Sequence, residues 1–464
     1  MKKIKTIYRR FIIAFVAILI SGASWLLASD EAYAIPSFAR QTGMQCSACH
    51  TVFPELTPFG RQFKLRGYTL GAGFADKQFP YNLPLAARLQ FGETSVKDRY
   101  KGANPAADFP QSNKPIVQLL GLYYGGKIAG KVGAFAQYNY DGIEKKWAAE
   151  MIDVRYADSL MAGNKELIYG VSVSNSPSME DVWNTSGMWV FPYTSDAGIM
   201  PMQTSLLDMM PLANQVGNVG VYGFYDSQLY VEFGFMHNGK NGVFRPLNVG
   251  TPLATAISGN APHLRLAWEK DWGDSNSFMI GGNALRANIY PDPTNLNGPT
   301  DRYTDAMVDT QFQHYDGDHL YSLLASYGHE KRDWTASFPA MNASNSSDNL
   351  DTFRVDGHYW YQRKIGGGIG YFDYRGSTDK MAYGMGGMGG MGAASAMGNA
   401  NGSPDTSGWI GEVDWLPLEN RENLKLGLRY TVYTKYNGAS TNYNGAGRNA
   451  SDNNSVYAYA WLMF

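Results

Sequence analysis

Apolar and polar residues alternate along most of the chain beyond residue 85. In 423–433, NLKLGLRYTVY, Leu424, Leu426, Leu428, Tyr430 and Val432 fall on one side of an extended strand. Lys425, Gly427, Arg429, Thr431 and Tyr433 fall on the other, because successive strand side chains point to opposite faces. The pattern recurs. In RVDGHYWYQ, Val355, Tyr359 and Tyr361 oppose Arg354, Asp356 and His358. In HLRLAWE, Leu264, Leu266 and Trp268 oppose His263, Arg265 and Glu269. In LAARLQF, Leu85, Ala87, Leu89 and Phe91 oppose Arg88 and Gln90. One such strand suits a half-solvated soluble sheet. Its repetition, with charge on the second face, is the pattern of a barrel with lipid outside and water inside.

Strand-like runs begin near residues 85, 116, 131, 149, 166, 217, 228, 262, 275, 302, 318, 351, 366, 408, 423 and 454. This gives about sixteen, and an even number closes an antiparallel barrel without edges and returns both ends to one side. The connections alternate in length. Short ones fall at KIAG, at 226–227, at DWGDSN, at 316–318 and at PLENRE. Long ones fall near 96–115, 175–216, 237–261, 288–301, 332–350, 376–407 and 435–453. Short periplasmic turns and long outer loops are the asymmetry of outer-membrane barrels.

The ends fit this class. Residues 1–34 carry a basic start, an apolar run and a small-x-small site, predicting a secretory signal peptide cleaved after Ala34; an uncleaved membrane anchor is the other reading. Beyond Ala34 no run of about 18 apolar residues predicts a helical span. At the other end Val456, Ala458, Ala460, Leu462 and Phe464 share one face, a final strand ending in an aromatic. It resembles the closing strand of outer-membrane barrels and equally suits a buried strand of a soluble domain. Composition changes the picture little. Tyrosine (31) and glycine (52) are abundant and net charge is −2, so nothing points to nucleic acid. Mean hydropathy is −0.31, since only alternate residues of a barrel strand meet lipid.

One short stretch carries chemistry. MQCSACH at 44–50 holds the only two cysteines of 464 residues, with His50 directly behind the second. A disulfide across a two-residue gap is strained, and a redox dithiol has no use for the histidine. Haem attachment uses all three: each thiol adds across a vinyl group and the imidazole takes the iron. Cys46, Cys49 and His50 are therefore the expected ligands of one covalent haem c, with His50 proximal. Residues 54–66 are expected to form a short helix stopped by Gly67. On it, Leu56, Phe59, Phe63 and Leu65 are candidates to cover a haem face. Arg61, Lys64 and Arg66 either meet the haem propionates or are simply solvated. The haem segment, 35–80, is too small for an independent core. The expectation is an all-β fold: a transmembrane antiparallel barrel of about sixteen strands over 81–464, its lumen plugged by a small α-helical c-type haem segment.

IPSFARQTGMQCSACHTVFPELTPFGRQFKLRGY resembles the N-terminal haem segment of the fused outer-membrane monohaem cytochrome c–porin family, the iron oxidases of iron-oxidising bacteria. NSPSMEDVWNTSGMWVFPY is similar to that family's long loop after the fifth strand. The resemblance spans the mature chain in architecture and is motif-specific in these two stretches. It implies oxidation of extracellular Fe(II), with electrons passing through a single haem c to a periplasmic cytochrome or copper protein. Cys46, Cys49 and His50 carry over as haem ligands. The Met/Gly tract at 384–397 has no counterpart there; it reads as a low-complexity surface loop or a thioether site for Cu(I).

Electron loss from ferrous iron breaks no bond, so no acid–base machinery is required. Asp153, Glu269, Asp356, Glu412 and Asp414 are candidates to attract Fe²⁺ or to pair with Arg155, Arg265, Arg354 and Lys425. The sixth iron ligand is open among Met44, Met179, Met188, His237, His263, His314, His319, His329 and His358. Two other functions stand beside iron oxidation: a solute porin with a haem-bearing plug, and a conduit for a donor other than iron.

Overall fold

The computed structural model describes residues 37–51, 53–71, 83–99, 109–186, 189, 191–208, 211–238, 254–273, 275–384, 395–418 and 423–464. The signal peptide, Met188 and most of the Met/Gly tract lie outside the described residues.

The strands are β1 (Leu85–Val96), β2 (Pro115–Ala129), β3 (Val132–Asp141), β4 (Lys146–Ala162), β5 (Lys165–Ser174), β6 (Gly217–Tyr225), β7 (Leu229–His237), β8 (Ala256–Ile257), β9 (Ala261–Trp272), β10 (Asn276–Tyr290), β11 (Asp301–Tyr315), β12 (His319–Asp333), β13 (Ser347–Tyr361), β14 (Ile365–Gly376), β15 (Thr406–Trp415), β16 (Leu424–Lys435) and β17 (Ser455–Met463). The two-residue β8 is an addition beside β10. The others pair antiparallel with their sequence neighbours, and β1 pairs with both β2 and β17, Arg88 standing opposite Gly121 and Met463. The result is a closed barrel of sixteen long strands. The expected starts at 149 and 351 differ most from what is seen, at Lys146 and Ser347.

Side chains alternate as the pattern requires. Leu428 in mid-β16 is 55% exposed and its neighbour Arg429 is 1% exposed. Val221, Phe233, Leu266, Val308 and Ile369 form part of the same outward apolar band. Trp272, Tyr315, Tyr321, Tyr359, Tyr361 and Trp415 are exposed at the short-turn end, where an interfacial aromatic girdle belongs. An outer surface this apolar needs lipid, and the chain is a porin-like outer-membrane barrel. Leu428→Arg is expected to destabilise the barrel by about 2–4 kcal/mol, the penalty for a cation near the bilayer midplane. Urea titration in phospholipid vesicles measures it, and an unchanged midpoint would mean that this face does not meet lipid.

The lumen is less watery than the alternation suggests. The long connection after β5, 175–216, folds inward. Its Val182 and Trp183 pack on Leu65, Ile168, Tyr222, Phe224, Tyr230, Ala267 and Met279. Leu206, Leu207, Leu212 and Val216 pack on Met236, Ile257, Leu285 and Met307. One side of the barrel is therefore filled by a dry core. At the long-loop end Tyr436, Tyr443 and Ala450 join Phe191, Ile199, Phe372 and Tyr433 in a second packed layer.

Among the described residues, three short helices precede the barrel: α1 (Ser37–Thr42), α2 (Cys46–Cys49) and α3 (Pro58–Leu65). The expected helix over 54–66 starts later because Thr57 caps it. Thr57 Oγ1 accepts from the Gly60 N–H at 3.1 Å and Pro58 takes the first position. Its end is as expected: Gly67, with φ 69°, supplies the left-handed turn. Ser37 Oγ and Gln41 Nε2 donate to Gly125 O at 3.0 and 2.7 Å. Arg66 pairs with Glu166 at 2.7 Å, and Gln62 Nε2 donates to Ser227 Oγ at 3.2 Å. These partners lie at or near the short turns. The segment therefore sits in the mouth that outer-membrane asymmetry assigns to the periplasm.

Candidate functional site

The CSAC turn is clamped from below. The His50 N–H donates to Cys46 O at 2.9 Å, closing α2. The Thr57 N–H donates to Cys49 O at 2.9 Å, and Thr57 Oγ1 donates to Ala48 O at 2.7 Å. Gly60 of α3 approaches so closely that a Cβ there would lie 2.2 Å from Cys49 O. Gly60→Ala must push α3 off the turn, since the obstructing atom is backbone. The expected result is a plug weakened by about 1–3 kcal/mol and less porphyrin retained per barrel. Haem quantified against protein checks it; unchanged haem content would show the contact to be dispensable.

No disulfide joins Cys46 and Cys49. Burial pushes the Cys49 thiol up to about 11. Redox-active thiols need the opposite shift, so its surroundings do not activate Cys49 as a thiolate. Burial pushes His50 down to about 4, keeping the ring neutral. Its Nδ1 lies 3.2 Å from Glu55 O, a carbonyl that can only accept, so Nδ1 carries the hydrogen and Nε2 is the available ligand atom. A ring nitrogen donating to a backbone carbonyl fixes the tautomer and orientation of a histidine whose other nitrogen binds metal.

Glu55 also ties the plug to the barrel and to the inward loop. Its buried carboxylate accepts from Tyr193 Oη at 2.6 Å, Ser322 Oγ at 2.5 Å and Thr51 Oγ1 at 3.3 Å, and His358 Nδ1 lies 2.9 Å away. Burial opposes ionisation, but the contacts from His358, Ser322 and Tyr193 outweigh it and hold the carboxyl below its usual range. Nothing in the sequence marks Glu55 except its position five residues after His50.

Met44, Cys46, Cys49, His50, Phe53, Leu56, Phe59 and Phe63 line a cavity of about 540 Å³ whose far wall is β1–β4 and β13–β17. That is the size of a cofactor pocket. Three of the four expected haem-covering residues line it. Leu65 does not; it packs against Trp183 in the dry core.

Of the expected propionate partners, Lys64 lines this cavity, whereas Arg61 and Arg66 do not. Arg61 is buried, with Nε 2.9 Å from Glu269 Oε2. Its Nη atoms donate to Glu269 Oε1 at 3.0 Å, Ser277 Oγ at 2.7 Å, Gln313 Oε1 at 3.1 Å and Leu56 O at 2.6 Å. Lys64 Nζ donates to Asp181 O at 3.2 Å, and Arg66 is the partner of Glu166.

The lumenal carboxylates are mostly neutralised by neighbours. Asp153 pairs with Arg155 at 2.7 Å, Asp414 with Lys425 at 2.9 Å and Glu412 with Arg429 at 2.7 Å; Glu269 takes Arg61 rather than Arg265. Arg265 pairs with Asp309 and, at 3.4 Å, with Asp181 from the inward loop. Asp356 has no ion pair among the described residues, and its Oδ2 is buried without a hydrogen-bond partner. No group of three or more His, Cys, Asp or Glu side chains is arranged to hold a metal ion among the described residues.

The sixth-ligand candidates separate by face. His237, His314, His319 and His329 belong to the outward sets of their strands, bonded to Gly259 O, Asn276, Tyr359 and Asp351. His263 and His358 point inward, but neither lines the cavity, and His358 is held by Glu55. Met44 and Met179 do line it, with Met151, Met200 and Met463. The alternation of β17, which puts Met463 on the side of Trp461, could have found that residue.

No family model matches the chain, and no curated protein matches it in sequence. Among solved structures it is similar to Salmonella typhi OmpF in complex with daunomycin, at 12% identity over 82% of this chain and 97% of that one, TM-score 0.47. It is similar to the outer membrane channel DcaP of Acinetobacter baumannii at 11% identity over 85% and 100%, TM-score 0.45. To an anion-selective porin from Comamonas acidovorans it is 11% identical over 82% and 98%, TM-score 0.42. Likeness this distant assigns no activity; the membrane reading rests on the closed ladder and its apolar exterior.

Proposed function

We propose that this protein is an outer-membrane electron-transfer protein that accepts electrons from extracellular Fe(II) and passes them to a periplasmic one-electron carrier, a cytochrome or a copper protein. The observation that carries the reading is a Cys-x-x-Cys-His turn, with one imidazole nitrogen committed to Glu55 O, opening on a cofactor-sized cavity inside a membrane barrel. Cys46 and Cys49 would hold a haem c by thioether bonds and His50 Nε2 would bind its iron. When bound, that haem supplies a one-electron redox centre. The chain's own part is mechanical and electrostatic. Glu55 fixes the imidazole, α3 clamps the turn, and the inward loop with its dry core narrows the path for solutes. Each Fe²⁺ leaves as Fe³⁺ after losing one electron, with no bond broken and no proton moved by the chain. The test is a redox titration of purified protein with Fe(II) at varied pH. Ferrous-haem absorption bands that grow with added Fe(II) are expected; a haem left ferric by Fe(II) at every pH would refute the donor.

A second reading, a solute porin with a haem-bearing plug, draws on one observation. The cavity continues along the charged wall of Arg354, Lys425 and Arg429 to Tyr433 and Met200 near the long loops. Planar-bilayer recordings distinguish the two: steady ion or sugar conductance supports the porin, and a closed barrel supports electron transfer.

A further inference from the structure

Three buried donors without an acceptor meet on the cavity wall. The Arg88 guanidinium carbon in β1 stands 4.8 Å from the Trp461 ring of β17 and 6.0 Å from the Tyr123 ring of β2. Arg88 Nε, Trp461 Nε1 and Tyr123 Oη are each shielded from solvent with no hydrogen-bond partner. Trp461 is 4% exposed and Tyr123 8%, and all three side chains line the same cavity.

Other cations nearby are occupied. Lys425 Nζ, 5.8 Å from the Trp461 ring, pairs with Asp414 at 2.9 Å and Glu412 at 3.5 Å. Arg429 pairs with Glu412, and Arg363 donates to His50 O and Thr51 O at 3.0 and 3.2 Å. Arg88 has no ion pair among the described residues. Glu150 of β4 faces the same space, close enough to attract the Arg88 charge without forming an ion pair, and accepts from Asn139 Nδ2 at 2.6 Å.

Orphaned buried donors carry their full desolvation penalty, and folded proteins keep few of them. A guanidinium flanked by an indole N–H and a phenol O–H, all facing one cavity, suits an anionic oxygen acceptor, and guanidinium matches carboxylate in geometry. Phe53 of the N-terminal segment joins this wall to His50, its ring 4.9 Å from Trp461 and 4.8 Å from His50. We propose that Arg88, Tyr123 and Trp461 form a carboxylate-binding site whose occupant is a propionate of the haem attached at Cys46 and Cys49. The assignment rests on the haem reading above. It moves the propionate role from Arg61 and Arg66, which lie outside the cavity, to the barrel wall, with Lys64 lining the same space.

The test uses full-length protein in detergent, with covalent porphyrin quantified and the midpoint potential followed against pH, for the parent, Arg88→Gln, Arg88→Lys and Trp461→Phe. Without the guanidinium a propionate charge is left uncompensated near the iron and favours the ferric state. Arg88→Gln therefore lowers the potential. It also raises the propionate pKa, moving the pH-dependent segment of the potential toward neutrality. Arg88→Lys restores part of both, and Trp461→Phe shifts both the same way by less. Should Arg88→Gln fail to mature, Trp461→Phe carries the test. Full haem content with potential and pH profile superimposable on the parent overturns the assignment. So does a parent potential that responds to added acetate with the response lost in Arg88→Gln, which gives the site to a free carboxylate. A parent without covalent porphyrin instead overturns the haem reading, and this site's occupant with it.

Discussion

Replacing Cys46 and Cys49 together with alanine is expected to abolish covalent porphyrin retention and Fe(II)-driven haem reduction while the barrel still folds. The two thiols are the only cysteines, so no other side chain can form the thioether bonds. They lie in α2, outside the strand ladder that closes through β1 and β17. Barrel stability should change by no more than about 1 kcal/mol, as for substitutions away from a packed core. Haem-linked peroxidase staining after denaturing electrophoresis reads the first effect, and the heat-modifiable mobility of the folded barrel reads the second. A single substitution leaves one thioether possible and should reduce retention without removing it.

Arg61→Ala is expected to release the plug. Arg61 joins α3 to β9, β10 and β11 through Glu269, Ser277, Gln311 and Gln313. Truncation leaves Glu269 buried without its cation, at a cost of about 3–5 kcal/mol. The loss falls on docking of the segment, because strand pairing does not involve Arg61. Brief proteolysis from the short-turn side should cut the N-terminal segment in the variant and spare it in the parent, and bilayer conductance should rise. Arg61→Met combined with Glu269→Leu removes both charges and should recover much of the protection, since a buried pair replaced by apolar groups is often near neutral. If Arg61→Ala is as protected as the parent, the plug is held chiefly by Glu55 and Arg66.

What the chain revealed of itself follows from the range of each interaction. Strand alternation is local and enforced by lipid on one side, so the runs around Leu428, Leu266 and Val355 showed both the strands and their faces. The haem turn was legible because Cys46, Cys49 and His50 are contiguous. The helix was legible at its Gly67 end, and its start was placed at Pro54 instead of Pro58, because the Thr57 cap that begins it was not recognised. Long-range pairing was not legible. Arg61 and Glu269 are 208 residues apart, and no pattern near either shows that they meet. For the same reason Arg61 looked like a propionate partner, and Arg88, Tyr123 and Trp461, spread over three strands, did not look like a site. The packed half of the lumen was hidden too, because inward apolar residues such as Phe224, Met279 and Leu285 are buried by a loop that reaches them from far along the chain, through Trp183, Leu206 and Leu212.

The most direct measurement places the protein in sealed liposomes enclosing a one-electron acceptor and adds Fe(II), chelated so that it cannot cross, to the outside. The enclosed acceptor should be reduced in proportion to covalent haem, and not at all with the Cys46→Ala, Cys49→Ala barrel. An acceptor that stays oxidised with a fully haem-loaded, correctly oriented barrel, or one reduced equally well by the haem-free variant, would contradict the account.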